Sequence, residues 1–241
     1  MAELIGRPKR EEEFLSRMST MTRQQKKRLL EIAGDPPDWS KVPDSFWKKI
    51  EQETQQQLII NLFLLSALSM RQHGAKGMAD VFGRSYAIKR AAETAAIFVK
   101  NSRKILERAV LNANRPTIIP ETSGLAKLPE IQKPEPIPGA SEAEKVAEEI
   151  FGKQRLETLV ATETTAAQSA GSEAAAAVIG TSENDIWNTE IDGRQCPTCG
   201  KLHETGRSVW MEQFPKGPPA HPNCRCWIIY SNERVELGVL R

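Results

Sequence analysis

Apolar residues recur at helical spacing over most of this chain, and that period breaks down in two places. From about Glu11 to Ala33, Phe14, Leu15, Met18 and Met21 fall near a 3.6-residue repeat among Arg, Lys and Gln, which predicts an amphipathic helix. Gly34-Asp35-Pro36-Pro37 stops it. A second helix is expected after Pro43, with Asp44 or Ser45 as N-cap, running through Phe46, Trp47 and Ile50 into the apolar block from Leu58 to Met70. That block contains Asn61 and Ser66 and falls short of the about 20 apolar residues a membrane span needs, so it reads as a buried helix. Gly74 and Gly77 punctuate its end. A third helix is expected from about Ala79 to Ala113, where Tyr86, Ile88, Ala92, Ala95, Ile97, Val99, Ile105 and Leu106 read as core positions.

The first break lies between Arg115 and Gly139, where Pro116, Pro120, Pro129, Pro134, Pro136 and Pro138 forbid a continuous helix and predict a semi-extended linker. Helical period resumes at Ser141-Glu142-Ala143-Glu144, which has the form of a capping box. Val146, Ile150, Leu156, Leu159 and Val160 follow, with Gly152 as a bend. From Ala161 to Ile179 the side chains are small, through helix propensity or to allow close helix approach. Beyond Gly180 the pattern changes again, to short strands and turns. Arg194–Cys196 and Cys226–Ser231 are the expected strand partners, because Trp227, Ile228, Ile229 and Tyr230 favour extended backbone.

These elements predict a mainly α protein with a small α+β C-terminal module, in which long helices precede a short sheet around a Cys/His cluster. The expected organisation is a basic helical domain (1–115), a Pro-rich linker (116–140) and the cysteine-bearing module (141–241).

Charge sharpens that division. The net charge of +2 conceals +8 on residues 1–115, with 21 Lys and Arg against 13 Asp and Glu, and −6 on residues 116–241, with 12 against 18. A basic half suits nucleic acid or an acidic protein surface, through attraction that salt weakens. The candidate contact set is Arg84, Lys89, Arg90, Lys100, Arg103, Lys104 and Arg108 on the third helix. The bland alternative is a set of solvated helix faces. With 39% apolar residues the chain can bury a core. Its first ten residues turn charged before any apolar run develops, so no signal peptide is read there, and a reducing compartment is expected.

All four cysteines fall in one constellation, Cys196-Pro-Thr-Cys199 and then His221-Pro-Asn-Cys224-Arg-Cys226. Two thiolates on a tight turn can hold one side of a tetrahedral metal and a second pair can close it, with zinc the leading ion. Pro197, Gly200, Pro218, Pro219 and Pro222 bend the backbone where the ligands converge. Cys196, Cys199, Cys224 and Cys226 would make an all-thiolate site, and His221 would replace one of the last pair in a mixed one. Two disulfides, or reduced thiols packed in a small core, are the alternatives. A thiolate-rich site is closed and structural, which argues against a catalytic zinc served by Glu204 or Glu212. No phosphate-cradling Gly loop, dinucleotide fingerprint or nucleophile elbow occurs. The protein is therefore not expected to be an enzyme.

The run from Ile186 to His203, with Trp187 leading to Asp192-Gly193-Arg194 and the Cys196/Cys199 pair, is followed by the Pro-rich approach to His221-Pro-Asn-Cys224-Arg225-Cys226-Trp227. Together they resemble the C-terminal module of the phage Mu F-like minor head (head morphogenesis) proteins. The resemblance covers roughly residues 141–231. It implies structural roles for Trp187, Asp192, Arg194 and Arg225, and a bracing role for Thr162-Glu163-Thr164. It also implies a virion protein of the capsid interior, present in the host cytoplasm during assembly. The implied partner is the portal, with major capsid or scaffolding protein and DNA as further candidates and no membrane. The alternative from another class is a zinc-ribbon protein that binds nucleic acid.

Overall fold

The structure, a computed structural model, describes residues 6–113, 141–180, 185–191 and 195–230. The Pro-rich segment 116–140, together with Asp192 and Arg194, lies outside the described residues.

Three long helices come first: α1 (Arg7–Ala33), α2 (Asp44–Gln72) and α3 (Ala79–Ala113). Helix α1 begins earlier than its periodicity suggested, with Pro8 in its first turn, and ends at Gly34, whose φ of 76° suits a residue without a side chain. Pro43, rather than Asp44 or Ser45, occupies the N-cap of α2: its carbonyl accepts the Phe46 N–H at 3.0 Å, and Asp44 falls in the first turn. There its carboxylate faces the positive end of the helix.

Two more helices follow, α4 (Glu142–Phe151) and α5 (Lys153–Ile179). The capping box at the head of α4 is complete, with the Glu144 N–H donating to Ser141 Oγ and the Ser141 N–H donating back to the Glu144 carboxylate. Gly152 separates the two helices in extended conformation, and a Cβ there would meet the Glu148 carbonyl at 2.3 Å.

The hydrophobic core runs across the sequence division at 116–140. One cluster joins Leu29 of α1, Trp47 and Ile50 of α2, and Phe98 and Leu106 of α3 to Val146 and Ile150 of α4. A second joins Phe14 and Met18 of α1, Leu58 and Leu62 of α2, and Ala87, Ala91 and Ala95 of α3 to Leu156 and Val160 of α5. Helices α4 and α5 thus bury their apolar faces in the same bundle as α1–α3.

The inner face of α3 differs from expectation. Its buried positions include Gly83, Ala87, Ala91, Ala95, Phe98, Val99, Ser102 and Leu106. Ile88 and Ile97, read as core, are exposed, as is Ala92. Close approach to α2 explains the choice, since a Cβ on Gly83 would already lie 3.0 Å from Ala67 Cβ. Small residues are used the same way on α5, where a Cβ on Gly171 would lie 2.4 Å from the Ser66 carbonyl of α2. Ser69 Oγ of α2 donates to the Gln168 carbonyl at this crossing, at 2.7 Å. The small-residue stretch of α5 therefore serves close packing.

A three-stranded antiparallel sheet closes the fold, in the order β2 (Thr205–Gly206), β1 (Ile186–Thr189), β3 (Cys226–Ile229). Of the expected partnership of Arg194–Cys196 with Cys226–Ser231, Arg194 and Ser231 lie outside the described residues; among those described, β3 pairs instead with β1, with Trp187 opposite Ile228 and Thr189 opposite Cys226. The reason is that Cys196 N-caps a helix, α6 (Pro197–Leu202), with Pro197 at its start. Neither α6 nor α7 (Arg207–Gln213) was legible as a helix, because each is too short to show a period. No described helix is long and apolar enough to cross a membrane.

Candidate metal centre

The cysteine module is built around Trp187, which is 0% exposed and packs on Trp210 and Phe214. Cys199, Leu202, Cys224, Cys226 and Ile228 complete this small core. Three of the four cysteines are thus buried, and Cys196 is half-buried.

The first cysteine pair is positioned by α6. Cys196 Sγ accepts the Cys199 N–H at 3.2 Å, and the Cys196 carbonyl accepts the Gly200 N–H at 2.9 Å. This geometry points both sulfurs to one side of the turn. The second group is positioned by Asn223, whose φ of 63° reverses the chain between His221 and Cys224. Asparagine tolerates that left-handed conformation better than most residues. Glu204, at φ 61°, makes the corresponding reversal after α6 and donates its N–H to the Trp187 carbonyl at 2.8 Å.

Five donor atoms converge. His221 Nε2 lies 3.0 Å from Cys196 Sγ and 3.1 Å from Cys199 Sγ, and Cys199 Sγ lies 4.0 Å from Cys224 Sγ. Cys196, Cys199 and His221 form one group with all ligand atoms within 4.8 Å, and Cys199, Cys224 and Cys226 form a second. Tetrahedral zinc, with sulfur at about 2.3 Å and nitrogen at about 2.0 Å, needs ligand atoms roughly 3.5–3.8 Å apart. The observed separations bracket that value, so the residues present can hold a metal ion. No disulfide joins the cysteines.

The tautomer of His221 is fixed by its neighbour. Nδ1 lies 2.7 Å from the Pro222 carbonyl, an oxygen that can only accept, so Nδ1 carries the proton and Nε2 is free to face the sulfurs. Although burial works against protonation, the Pro222 carbonyl and the neighbouring cysteine sulfurs raise the His221 pKa above its ordinary value. Hydrogen bonds from Cys199 and Cys226 hold the Cys224 thiol well below the usual range, while Cys199 is pushed up because it donates to Cys224 and Cys226. Crowded sulfurs share protons in this way. His203, the other nearby imidazole, accepts the Thr189 N–H at Nδ1 and belongs to neither group of donors.

The module is fastened to the bundle by polar contacts from α5 and α1. Thr162 Oγ accepts the Asn223 N–H at 2.7 Å, and Thr165 Oγ donates to the Cys224 carbonyl at 2.5 Å. Arg7, fully buried, donates to Thr165 Oγ, Gln168 Oε1 and Glu11 Oε1. Glu11 also receives Arg225 at 2.6 Å, and Arg225 lies 3.6 Å from Glu190. Of the expected braces, Thr162 acts directly on the loop. Glu163 instead accepts from Arg90 Nε and Nη2, each at 2.8 Å, and Thr164 Oγ is buried without a hydrogen-bond partner among the described residues. Thr165, Arg7 and Glu11 were not singled out in the sequence, since their role depends on contacts between distant segments.

Residues 139–229 match the family described as phage Mu protein F like protein. Over this region the chain is similar to that family. The match runs from just before the α4 capping box to β3, so it takes in α4 and α5 as well as the cysteine module. No curated protein and no solved structure matches the chain.

The basic residues of α3 divide into two groups. Arg90 pairs with Glu163, Arg103 with Asp44 at 2.6 Å, and Arg108 with Glu149 at 2.7 Å. Arg84, Lys89, Lys100 and Lys104 are exposed.

Proposed function

We propose that this protein is a minor capsid, or head morphogenesis, protein of a tailed phage or prophage, acting as a binding scaffold rather than an enzyme. It resides in the capsid interior and engages the portal vertex during procapsid assembly. The observation that carries this reading is the phage Mu F-like match over 139–229, which takes in α4, α5 and the whole cysteine cluster. Exposed Arg84, Lys89, Lys100 and Lys104 supply a basic surface for the portal, a capsid or scaffolding protein, or packaged DNA.

The metal in this reading is structural zinc, held by Cys196, Cys199, His221 and Cys224. Contacts at 3.0, 3.1 and 4.0 Å link these four in a chain, and Cys226 on β3 shares a group with Cys199 and Cys224. When bound, the ion would supply the folding free energy that so small an apolar core lacks.

The test is affinity purification of the tagged chain from cells producing its procapsids, followed by mass spectrometry of the retained proteins at moderate salt. Recovery of the portal subunit in fixed proportion is the expected result. Recovery of nucleic acid alone would overturn it in favour of a zinc-ribbon nucleic-acid binder.

A further inference from the structure

Helices α3 and α5 do not close on each other along their whole length. Two adjoining hollows of about 550 and 540 Å³ share Asn101 and Arg155: the second lies between the two helices, and the first continues along α3 with Arg155 as its residue from α5. From Arg90 to Leu111 the α3 wall of this groove is about 30 Å long, at 1.5 Å per residue. Its lining includes Ile97, Phe98, Ile105, Leu111 and Leu159. Ile97 is 58% exposed and Leu111 66%, so large apolar side chains stand on the groove wall while alanines fill the core behind them.

The guanidinium of Arg155 is the chemical centre of this groove. It lies over the Phe98 ring, 4.2 Å from the centroid, and donates to Ser102 Oγ and to the Ile150 and Phe98 carbonyls. All of these acceptors are neutral. Elsewhere in this protein the inward-facing guanidinium groups of Arg7, Arg90 and Arg225 each meet a carboxylate. Among the described residues no carboxylate pairs directly with Arg155, and burial lowers its pKa to about 10 although the more distant Glu149 carboxylate acts the other way. Its contacts fix the guanidinium without a direct ion pair, which leaves a preoriented cation beside apolar side chains, where a charge-assisted bond is strong. Lys104 lines the same groove with Glu107 and with Arg108, which pairs with Glu149; at the other end Arg90 and Glu163 pair with each other, so cations still outnumber carboxylates along it.

We infer that the α3/α5 groove is a docking site for an acidic peptide segment of a partner protein, whose carboxylate pairs with Arg155 and whose apolar side chains cover Ile97, Phe98 and Leu159. The mixture of cation and apolar wall selects this occupant. A phosphodiester backbone would answer the charge but cover none of the apolar surface, whereas a segment carrying both acidic and apolar residues answers both. The head-protein reading determines only where the partner is sought.

The experiment places a photo-crosslinking amino acid at Asn101 in the full chain, produced in the cells that make it. Crosslinked peptides are then identified by mass spectrometry, with the same crosslinker at exposed Val81 as control. The expected result is a net-acidic segment of another protein, captured at Asn101 and not at Val81. Its yield should fall about tenfold or more in Arg155→Met, and comparably in Ile97→Glu, which adds a repelling charge on the exposed wall without touching the core. Ile97→Glu decides the matter if Arg155→Met does not fold. Crosslinks to nucleic acid, crosslinks to this chain itself, capture no greater than at Val81, or capture unchanged in a folded variant would each overturn the proposal. An acidic segment from a protein unrelated to phage heads would support the groove and sink the head-protein reading, so the two fail separately.

Discussion

Glu11 and Arg225 meet at 2.6 Å although 214 residues of chain separate them. Glu11 lies near the start of α1, Arg225 stands between Cys224 and Cys226, and both side chains are largely buried. The candidate metal loop is therefore fastened to the first helix of the chain, and Arg7 ties the same carboxylate to Thr165 and Gln168 on α5.

Breaking this node should destabilise the whole fold. Arg225→Met leaves Glu11 with Arg7 as its remaining ionic partner among the described contacts, and a loss of about 2–4 kcal/mol is expected in urea unfolding. Unfolding indistinguishable from wild type would show that the contact fastens nothing.

Metal should be held by a specific subset of the cluster. Cys196→Ser and Cys224→Ser are expected to release zinc and expose residues 185–230 to limited proteolysis, whereas Cys226→Ser should retain most of the metal. Elemental analysis of the purified variants gives the answer. Full zinc occupancy in Cys224→Ser, or its loss in Cys226→Ser alone, would reassign the fourth ligand.

The contact between α2 and α5 at Gly171 should tolerate no side chain. Gly171→Ala places a methyl group 2.4 Å from the Ser66 carbonyl, a backbone atom. Overpacking of about 3 kcal/mol outweighs the roughly 1 kcal/mol gained in helix propensity, for a net loss near 2 kcal/mol. Chemical denaturation of the variant measures it, and a gain in stability would show that the helices separate without cost.

Acid should weaken the bundle through His73. Burial lowers its pKa below the ordinary 6.5, although Nδ1 lies 2.7 Å from the Ser69 carbonyl. A histidine depressed in the folded state binds fewer protons than in the unfolded chain. Its contribution is intact above about 6.5 and declines as pH falls from there toward the depressed folded value. His73→Gln should flatten the pH dependence of the melting temperature in that window, and parallel wild-type and variant profiles would remove His73 as the cause.

The sequence by itself determined the long helices, because their signals are local. The capping box at Ser141, the bend at Gly152, the stop at Gly34 and the period of α2 each depend on residues within a turn or two of one another. It also determined which residues converge in the Cys/His cluster that could hold a metal, since Cys196, Cys199, His221, Cys224 and Cys226 announce themselves by spacing and side-chain chemistry. Tertiary structure alone decided how those pieces meet. Strand β3 pairs with β1 because Cys196 caps a helix and buried Trp187 anchors the opposing strand. Helices α4 and α5 complete the core of α1–α3, and alanines rather than isoleucines line the inner face of α3, because helix separation sets which side chains fit. The pairing of Glu11 with Arg225 and the seat of Arg155 on Phe98 and Ser102 of α3 depend on distances between segments far apart in the chain. Hydrophobic period carries no record of such distances, because it reports which face of an element is buried and not what it is buried against.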